Sequence, residues 1–434
     1  MTSFGRIVTN AGWNLTGNVL PLAAAAALLP FIISTMGIDR FGLLSLAWVL
    51  VGYFSLFDLG LGRAITKMVA EREQSESAND IPAIASTGSA LVIAVGFIGA
   101  ICIAALAPLV ESWLHDTSAT LANEARNSVY LIALSIPFVV GTSALRGVLE
   151  GLQEFRLLTF IRVPAGILLF AAPAITSLLS PRLDLAVAGL VLTRAALFAA
   201  HIPPALRRIR IRPSSFQRQW VRPMIHFGGW LTVSSIVGPV IVYMDRFVLG
   251  AVQTPTAVAY YAAPFEIVSR MLIIPAALSA ALFPAIVGLK QKSAKEADAM
   301  YRKALALIVL ILTPICVAGA ALAEPLLNLW LGSSFAANSA PLLQLLLPGF
   351  ALNSLAQLPL VALHGLGRAK SVAVLHLVQL PIYCALLIFL STKYGATGAA
   401  TAWSIRAASD CLALFLMLRL NEKFSTKSRA DLQG

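Results

Sequence analysis

Apolar stretches of roughly twenty residues recur along this 434-residue chain, and a bilayer core of about 30 Å takes roughly that many helical residues to cross. Short charged segments separate them. Hydrophobic side chains make up 58% of the chain and charged ones 12%, against roughly 45–50% and 25% in a water-soluble domain. The pattern reads as an all-α integral membrane protein of about twelve transmembrane helices. The spans fall near 13–36, 42–61, 84–107, 127–145, 157–179 and 185–206, then near 224–250, 258–289, 304–327, 342–363, 372–390 and 397–420. The first reads as a span rather than a cleaved signal peptide. Its start carries only Arg6, and its apolar run holds Asn14, Asn18 and Pro21 before continuing to Met36.

The net charge of +12 would point to nucleic acid only if the basic residues shared an aromatic-rich domain. They follow the loops instead, so no nucleic-acid partner is expected. Cytoplasmic loops retain Lys and Arg during insertion. With the N-terminus inside, the outer loops hold only Arg40, Arg126, Arg182 and Lys393, while most of the 32 basic residues fall in cytoplasmic segments. Both termini are therefore expected in the cytoplasm. The densest basic loop, with Arg207, Arg208, Arg210, Arg212, Arg218 and Arg222, lies halfway along the chain. It reads as a linker (207–222) between an N-terminal lobe (1–206) and a C-terminal lobe (223–420), with a cytoplasmic tail at 421–434. Gly12-Trp13 pairs with Gly229-Trp230, Trp113-Leu114 with Trp330-Leu331, and Ile101-Cys102 with Ile315-Cys316. Glu150-Gly151-Leu152 pairs with His364-Gly365-Leu366, and Arg194-Ala195-Ala196 with Arg406-Ala407-Ala408, the offset drifting only from 217 to 212. Five matches in chain order suggest duplication of a six-helix unit, and an even number of spans per unit makes the halves parallel repeats.

Charged groups inside spans are the first candidates for function, because a central Arg or Asp costs about 2.5–3.5 kcal/mol on the insertion scale unless it faces protein or water. Arg194 and Arg406 occupy the middle of spans six and twelve at equivalent repeat positions. Arg270 lies near the middle of span eight, and Arg246 near the outer end of span seven. The acids among them are Asp245, Glu266 and Asp410, with Glu266–Arg270 and Arg406–Asp410 spaced i, i+4. One reading makes these ion pairs that fix packing. The other makes them the lining of a cavity whose arginines attract an anionic headgroup, since a guanidinium donates hydrogen bonds in a fork that suits phosphate. Arg194 has no acid in its own helix, and Asp58 is the only acid expected inside the first six spans.

Asn10, Asn14 and Asn18 recur every fourth residue and share one face of span one. That stripe suits sugar hydroxyls, and equally suits helix packing in lipid. Trp13, Trp48, Tyr53, Tyr243 and Trp403 are candidates for stacking on sugar rings, whereas Tyr260, Tyr261 and Trp330 read as interfacial belt residues. Span eight, with Pro264, Pro275 and Pro284, is too long to run straight. Cys102, Cys316, Cys384 and Cys411 form no CxxC pair, so neither a disulfide nor a metal site is expected. The chain has no phosphate loop, HExxH site or GxSxG elbow, and its longest outer loop, 108–126, is short for a catalytic site. No enzyme activity and no cofactor are expected.

Several segments resemble one family. Asn10-Ala-Gly-Trp-Asn-Leu-Thr-Gly, Gly37-Ile-Asp-Arg-Phe-Gly-Leu-Leu-Ser-Leu and Phe54-Ser-Leu-Phe-Asp-Leu-Gly-Leu-Gly-Arg-Ala resemble the Wzx-type polysaccharide flippases of the multidrug/oligosaccharidyl-lipid/polysaccharide (MOP) exporter superfamily. Asp245-Arg-Phe-Val-Leu-Gly, Ala259-Tyr-Tyr-Ala-Ala, Leu282-Phe-Pro and His364-Gly-Leu-Gly-Arg extend the likeness over nearly all the chain. The resemblance implies a MATE-like, two-lobed transporter of the bacterial inner membrane that turns an undecaprenyl-pyrophosphate-linked glycan from the cytoplasmic to the periplasmic leaflet. A polysaccharide polymerase and chain-length machinery would be its partners, membrane lipid its surroundings, and a monomer its state. Arg194, Arg270 and Arg406 would then attract phosphate, with Arg246 an outer candidate. Glu266, Asp410, Asp245 and Asp58 are candidates for tuning those arginines or carrying a coupling ion. The alternatives are a proton- or sodium-coupled multidrug antiporter of the same superfamily and a membrane-embedded polymerase or ligase. Acid-poor N-terminal spans favour the oligosaccharide branch over the drug antiporters.

Overall fold

The computed structural model describes residues 20–21, 23–54, 58–73, 78–110, 117–209, 216–272, 275, 294–365 and 368–430. Apolar sequence in lipid has no water to satisfy its backbone, so each pass closes its own hydrogen bonds as a helix. In order these are α1 (Ala23–Met36), α2 (Ile38–Tyr53), α3 (Leu61–Glu73), α4 (Ile81–Leu106), α5 (Ala119–Gly151), α6 (Phe155–Leu179) and α7 (Leu183–Ile209). Then come α8 (Val221–Val252), α9 (Pro255–Met271), α10 (Ala294–Ala321), α11 (Ala323–Leu331), α12 (Ser333–Gly365) and α13 (Ala369–Ala430). The 62 residues of α13 are two helical arms that meet at Gly395, whose φ of 59° only glycine adopts readily. Setting aside the short α3 and α11, and counting both arms of α13, about twelve passes fall where the apolar stretches place them. Among the described residues, seven helices are long and apolar enough to cross a membrane, α13 counted once. Ile98, Ile101, Leu178, Leu192, Leu310 and Ile382 are all more than half exposed, as a lipid-facing surface requires.

The chain divides into two compact units, Met1–Val240 and Ile241–Gly434, the boundary falling inside α8. In the first unit, one end is fastened by charge. Arg40 of α2 donates two hydrogen bonds, of 2.7 and 2.8 Å, to Glu124 of α5, and the same carboxylate accepts the backbone N–H of Leu183 at 3.0 Å. Arg182 and Asn127 both bind Asp184. The helices begin earlier than their apolar stretches, so Glu124 and Asp184 lie inside α5 and α7, and Asp58 is not the only acid in the first six passes. At the linker, the Gln217 N–H donates to the Thr87 hydroxyl at 2.9 Å, and the Arg72 guanidinium sits 5.2 Å over the Trp220 ring. The end of the basic segment thus packs on the first unit.

Where span two was expected to run to residue 61, α2 stops at Tyr53 and a turn occupies residues 58–60. Leu59 and Gly60 have φ of 53° and 67°, outside helical geometry. The Asp58 carboxylate stabilises that turn by accepting the N–H groups of Gly60 (2.9 Å) and Gly62 (3.2 Å) and the Ser143 hydroxyl. The chain is thereby redirected into α3, which lies against the glycine face of α5. A Cβ on Gly147 would land on the Gly62 carbonyl oxygen, and one on Gly151 would come within 2.9 Å of the Thr66 carbonyl. Close backbone approach of this kind needs small residues. Gly147→Leu is expected to lower the thermal midpoint of purified protein by forcing α3 off α5, at a cost of about 1–3 kcal/mol or more. Gly99→Ala, whose new methyl would meet only Ile136 at 3.6 Å, should leave the midpoint unchanged; equal melting of the two variants would remove the packing argument.

Candidate functional site

Within the second unit the intramembrane charges sort into two clusters. In the first, Arg246 of α8 is 1% exposed. Its guanidinium donates to Glu266 of α9 at 2.9 Å and lies over the rings of Tyr243 (5.6 Å) and Phe265 (5.1 Å). Glu266 also accepts from Arg270, one turn further along α9, at 3.4 Å. One carboxylate therefore serves two arginines, leaving a net positive charge on a group whose outer member, Arg270, is exposed. The neighbouring Asp245 is fully buried. It accepts the Tyr261 hydroxyl and the Arg246 backbone N–H (2.8 Å), and feels the positive charge of Arg406.

Arg406 lies in the second arm of α13, flanked by the rings of Tyr383 and Trp403, each 5.7 Å away. The Arg406 Nε, the Tyr383 hydroxyl and the Trp403 indole N–H are buried without a hydrogen-bond partner among the described residues. The i, i+4 spacing anticipated an Arg406–Asp410 pair, and the structure corrects this. Asp410 turns instead toward His376 of the first arm, with Oδ1 3.3 Å from Nε2. Spacing on one helix permits a pair, but the neighbouring arm supplies a closer partner. Tyr261 also departs from expectation. It is wholly buried rather than at an interface, because its hydroxyl has Asp245 to bond.

In the first unit, Arg194 sits on α7 with its Nε buried and unbonded, and no charged neighbour acts on it among the described residues. Asp58 has its oxygens engaged in the turn before α3, so in this conformation it is a structural cap. Asn10, Asn14, Asn18 and Trp13 lie outside the described residues, as does Leu282-Phe-Pro. Two further charged or titratable groups lie within the helices. Arg162 stands inside α6 within the electrostatic reach of Arg146 and Glu150, and it was legible as an arginine in an apolar run. His376 carried no signal until its pairing across the arms of α13 was visible.

This architecture, helical passes in two units with buried arginines, defines a multi-pass membrane protein. Solved structures share the fold at low identity. One is an inward-facing multidrug resistance MATE family transporter of the MOP superfamily, with TM-score 0.75, 14% identity, and 94% of this chain and 99% of that one covered. Another is the lipid II flippase MurJ in an inward closed conformation, with TM-score 0.72, 14% identity, and 95% and 87% covered. Residues 7–290 match the model of the family described as "Polysaccharide biosynthesis protein". The chain is 32% identical over 408 residues to a "Putative O-antigen transporter" of Shigella flexneri, covering 94% of this chain and 96% of that one. The chain belongs to this polysaccharide biosynthesis family.

Removing the carboxylate that meets a buried guanidinium strands that charge, at up to about 3–5 kcal/mol. Glu266→Gln should therefore lower the thermal midpoint of detergent-purified protein sharply, because Arg246 loses its counter-charge. Arg270→Gln removes an exposed partner and should cost less than about 1 kcal/mol. A larger loss for Arg270→Gln than for Glu266→Gln would show that the pairing is misread.

Proposed function

We propose that the chain is a flippase of the bacterial inner membrane, with both termini cytoplasmic, that moves an undecaprenyl-pyrophosphate-linked oligosaccharide to the periplasmic leaflet for surface polysaccharide synthesis. The observation that carries this reading is Arg194, a guanidinium in mid-span whose Nε is buried and which has no counter-charge among the described residues. A membrane protein that keeps such a charge needs an anion for it. A diphosphate linked to lipid and sugar supplies one, in the geometry a guanidinium prefers. Arg270, exposed and sharing Glu266 with Arg246, is the second candidate contact. Family membership and likeness to the Shigella flexneri protein support the same substrate class. Transfer requires no bond to be made or broken in the lipid, which agrees with a transporter working by alternating access as a monomer, alongside a polymerase and chain-length machinery.

Deletion of the gene should cause the complete sugar unit on undecaprenyl pyrophosphate to accumulate, read by mass spectrometry, with loss of surface polysaccharide and restoration by the wild-type copy. Unchanged glycolipids with raised sensitivity to cationic drugs would instead identify a multidrug antiporter. In the complemented strain, Arg194→Gln should reach wild-type folded yield and still accumulate the intermediate. Its transport should fall about tenfold or more, the weight of one hydrogen-bonded charge. A fall in yield matching the fall in transport would make Arg194 a packing residue.

A further inference from the structure

The end of the basic segment is a fixed platform. Between Asp184 and Asp245 the sequence holds no acid, while Arg207, Arg208, Arg210, Arg212, Arg218 and Arg222 fall together in the segment 207–222. Orientation during insertion accounts for those arginines as charges. It asks nothing of how the segment folds or of what stands between the charges.

The Gln217 backbone meets Thr87 of α4 twice, its N–H donating to the hydroxyl at 2.9 Å and its carbonyl accepting from that hydroxyl at 3.4 Å. The Gln217 side-chain oxygen accepts the Trp220 indole N–H at 3.2 Å and the Gln219 amide at 2.7 Å. Arg72 of α3 lies over the Trp220 ring. Met224, one turn further on, is fully buried, and a Cβ on Gly88 of α4 would come 3.4 Å from its terminal methyl. Gln217, Trp220 and Met224 thus hold the segment against α3 and α4. What they leave outward is mixed: Phe216 and Ile225 are 49% and 55% exposed, and Arg218 and Arg222 between them are exposed as well.

Apolar side chains offered to water beside two cations suit the boundary of a bilayer, where rings and aliphatic chains enter the acyl region and guanidinium groups stay with the headgroups. The segment lies at that boundary, because α7 ends at Ile209 and α8 starts at Val221, and each is a membrane pass. The acids on α3 and the turn after it are Glu71, Glu73 and Asp80. Asp80 meets Arg72 and Glu71 meets Lys67, each at 3.7 Å, and neither carboxylate is paired with Arg218 or Arg222.

We propose that residues 216–226 form a docking surface for anionic phospholipid, with Arg218 and Arg222 on the phosphate and Phe216 and Ile225 against the acyl chains. Surrounding phospholipid fits better than a transported lipid diphosphate, because both cations are exposed at the end of the unit whereas Arg194 lies in mid-span. The surface does not depend on the flippase reading; only its assignment to the cytoplasmic leaflet rests on the orientation proposed above.

Native mass spectrometry of the full-length chain, stripped of lipid in detergent and titrated with phosphatidylglycerol or phosphatidylcholine, tests this. The first phosphatidylglycerol should bind at least about tenfold tighter than phosphatidylcholine, and Arg222→Gln should weaken it about fivefold, the weight of one arginine near an anionic surface. Arg126→Gln removes an equal charge near the start of α5 and should leave the affinity unchanged. The double variant Arg218→Lys, Arg222→Lys keeps both charges and should bind as wild type does. Equal affinity for the two lipids overturns the proposal, as does a loss in Arg126→Gln or in the lysine variant as large as that in Arg222→Gln. Displacement of phosphatidylglycerol by undecaprenyl pyrophosphate supplied at lower concentration overturns it too, by assigning the surface to the transported lipid.

Discussion

A guanidinium with almost no access to water is tolerable only if charge comes to meet it, and in the second unit Glu266 does so for Arg246. That contact joins α8 to α9 and fixes the direction in which Asp245, the next residue of α8, must look. Asp245 then takes its own bonds from Tyr261 and from the backbone, so the two acids do not compete for one cation. The aromatic rings of Tyr243 and Phe265 around Arg246, and of Tyr383 and Trp403 around Arg406, give each cation a second source of stabilisation. Pairing of this kind costs desolvation that hydrophobic packing would not. A chain that keeps it is using the charges to define which helices meet.

The first unit meets the same requirement differently. Two of its charged contacts sit where helices begin. Glu124 receives Arg40 and the start of α7, and Asp184 receives Arg182. Its interior is held by small residues and by backbone approach, as between Gly147 and α3. Arg194 stands apart, a half-buried guanidinium whose buried Nε has no hydrogen-bond partner and for which the first unit provides no counter-charge among the described residues. The contrast with Arg40, Arg182 and Arg246, each of which meets a carboxylate, gives the proposed anion site its meaning.

Much of this was legible in the amino-acid order. Span number and placement follow from length and hydropathy, since a helix in lipid has little freedom to be anything else. Arg194, Arg246, Arg270 and Arg406 stood out because charge in an apolar run is expensive. What the order hid was partnership. The spacing of Arg406 and Asp410 is compatible with a pair, but spacing says nothing about a histidine on the adjoining arm. Tyr261 near a span end looked interfacial because one dimension carries no depth. The turn at Asp58 was read as the end of a helix, since a left-handed leucine has no compositional signature. Asn10, Asn14 and Asn18 lie outside the described residues.

The two arms of α13 are joined by a single left-handed residue, Gly395. A connection that short leaves nothing to cut, label or enlarge. A protease or an inserted epitope would find no loop there, and the two arms must enter the bilayer as one hairpin. Replacing Gly395 with a side-chain-bearing residue would strain the hinge itself, so the tolerance to insertion common at membrane-protein loops should vanish at this position.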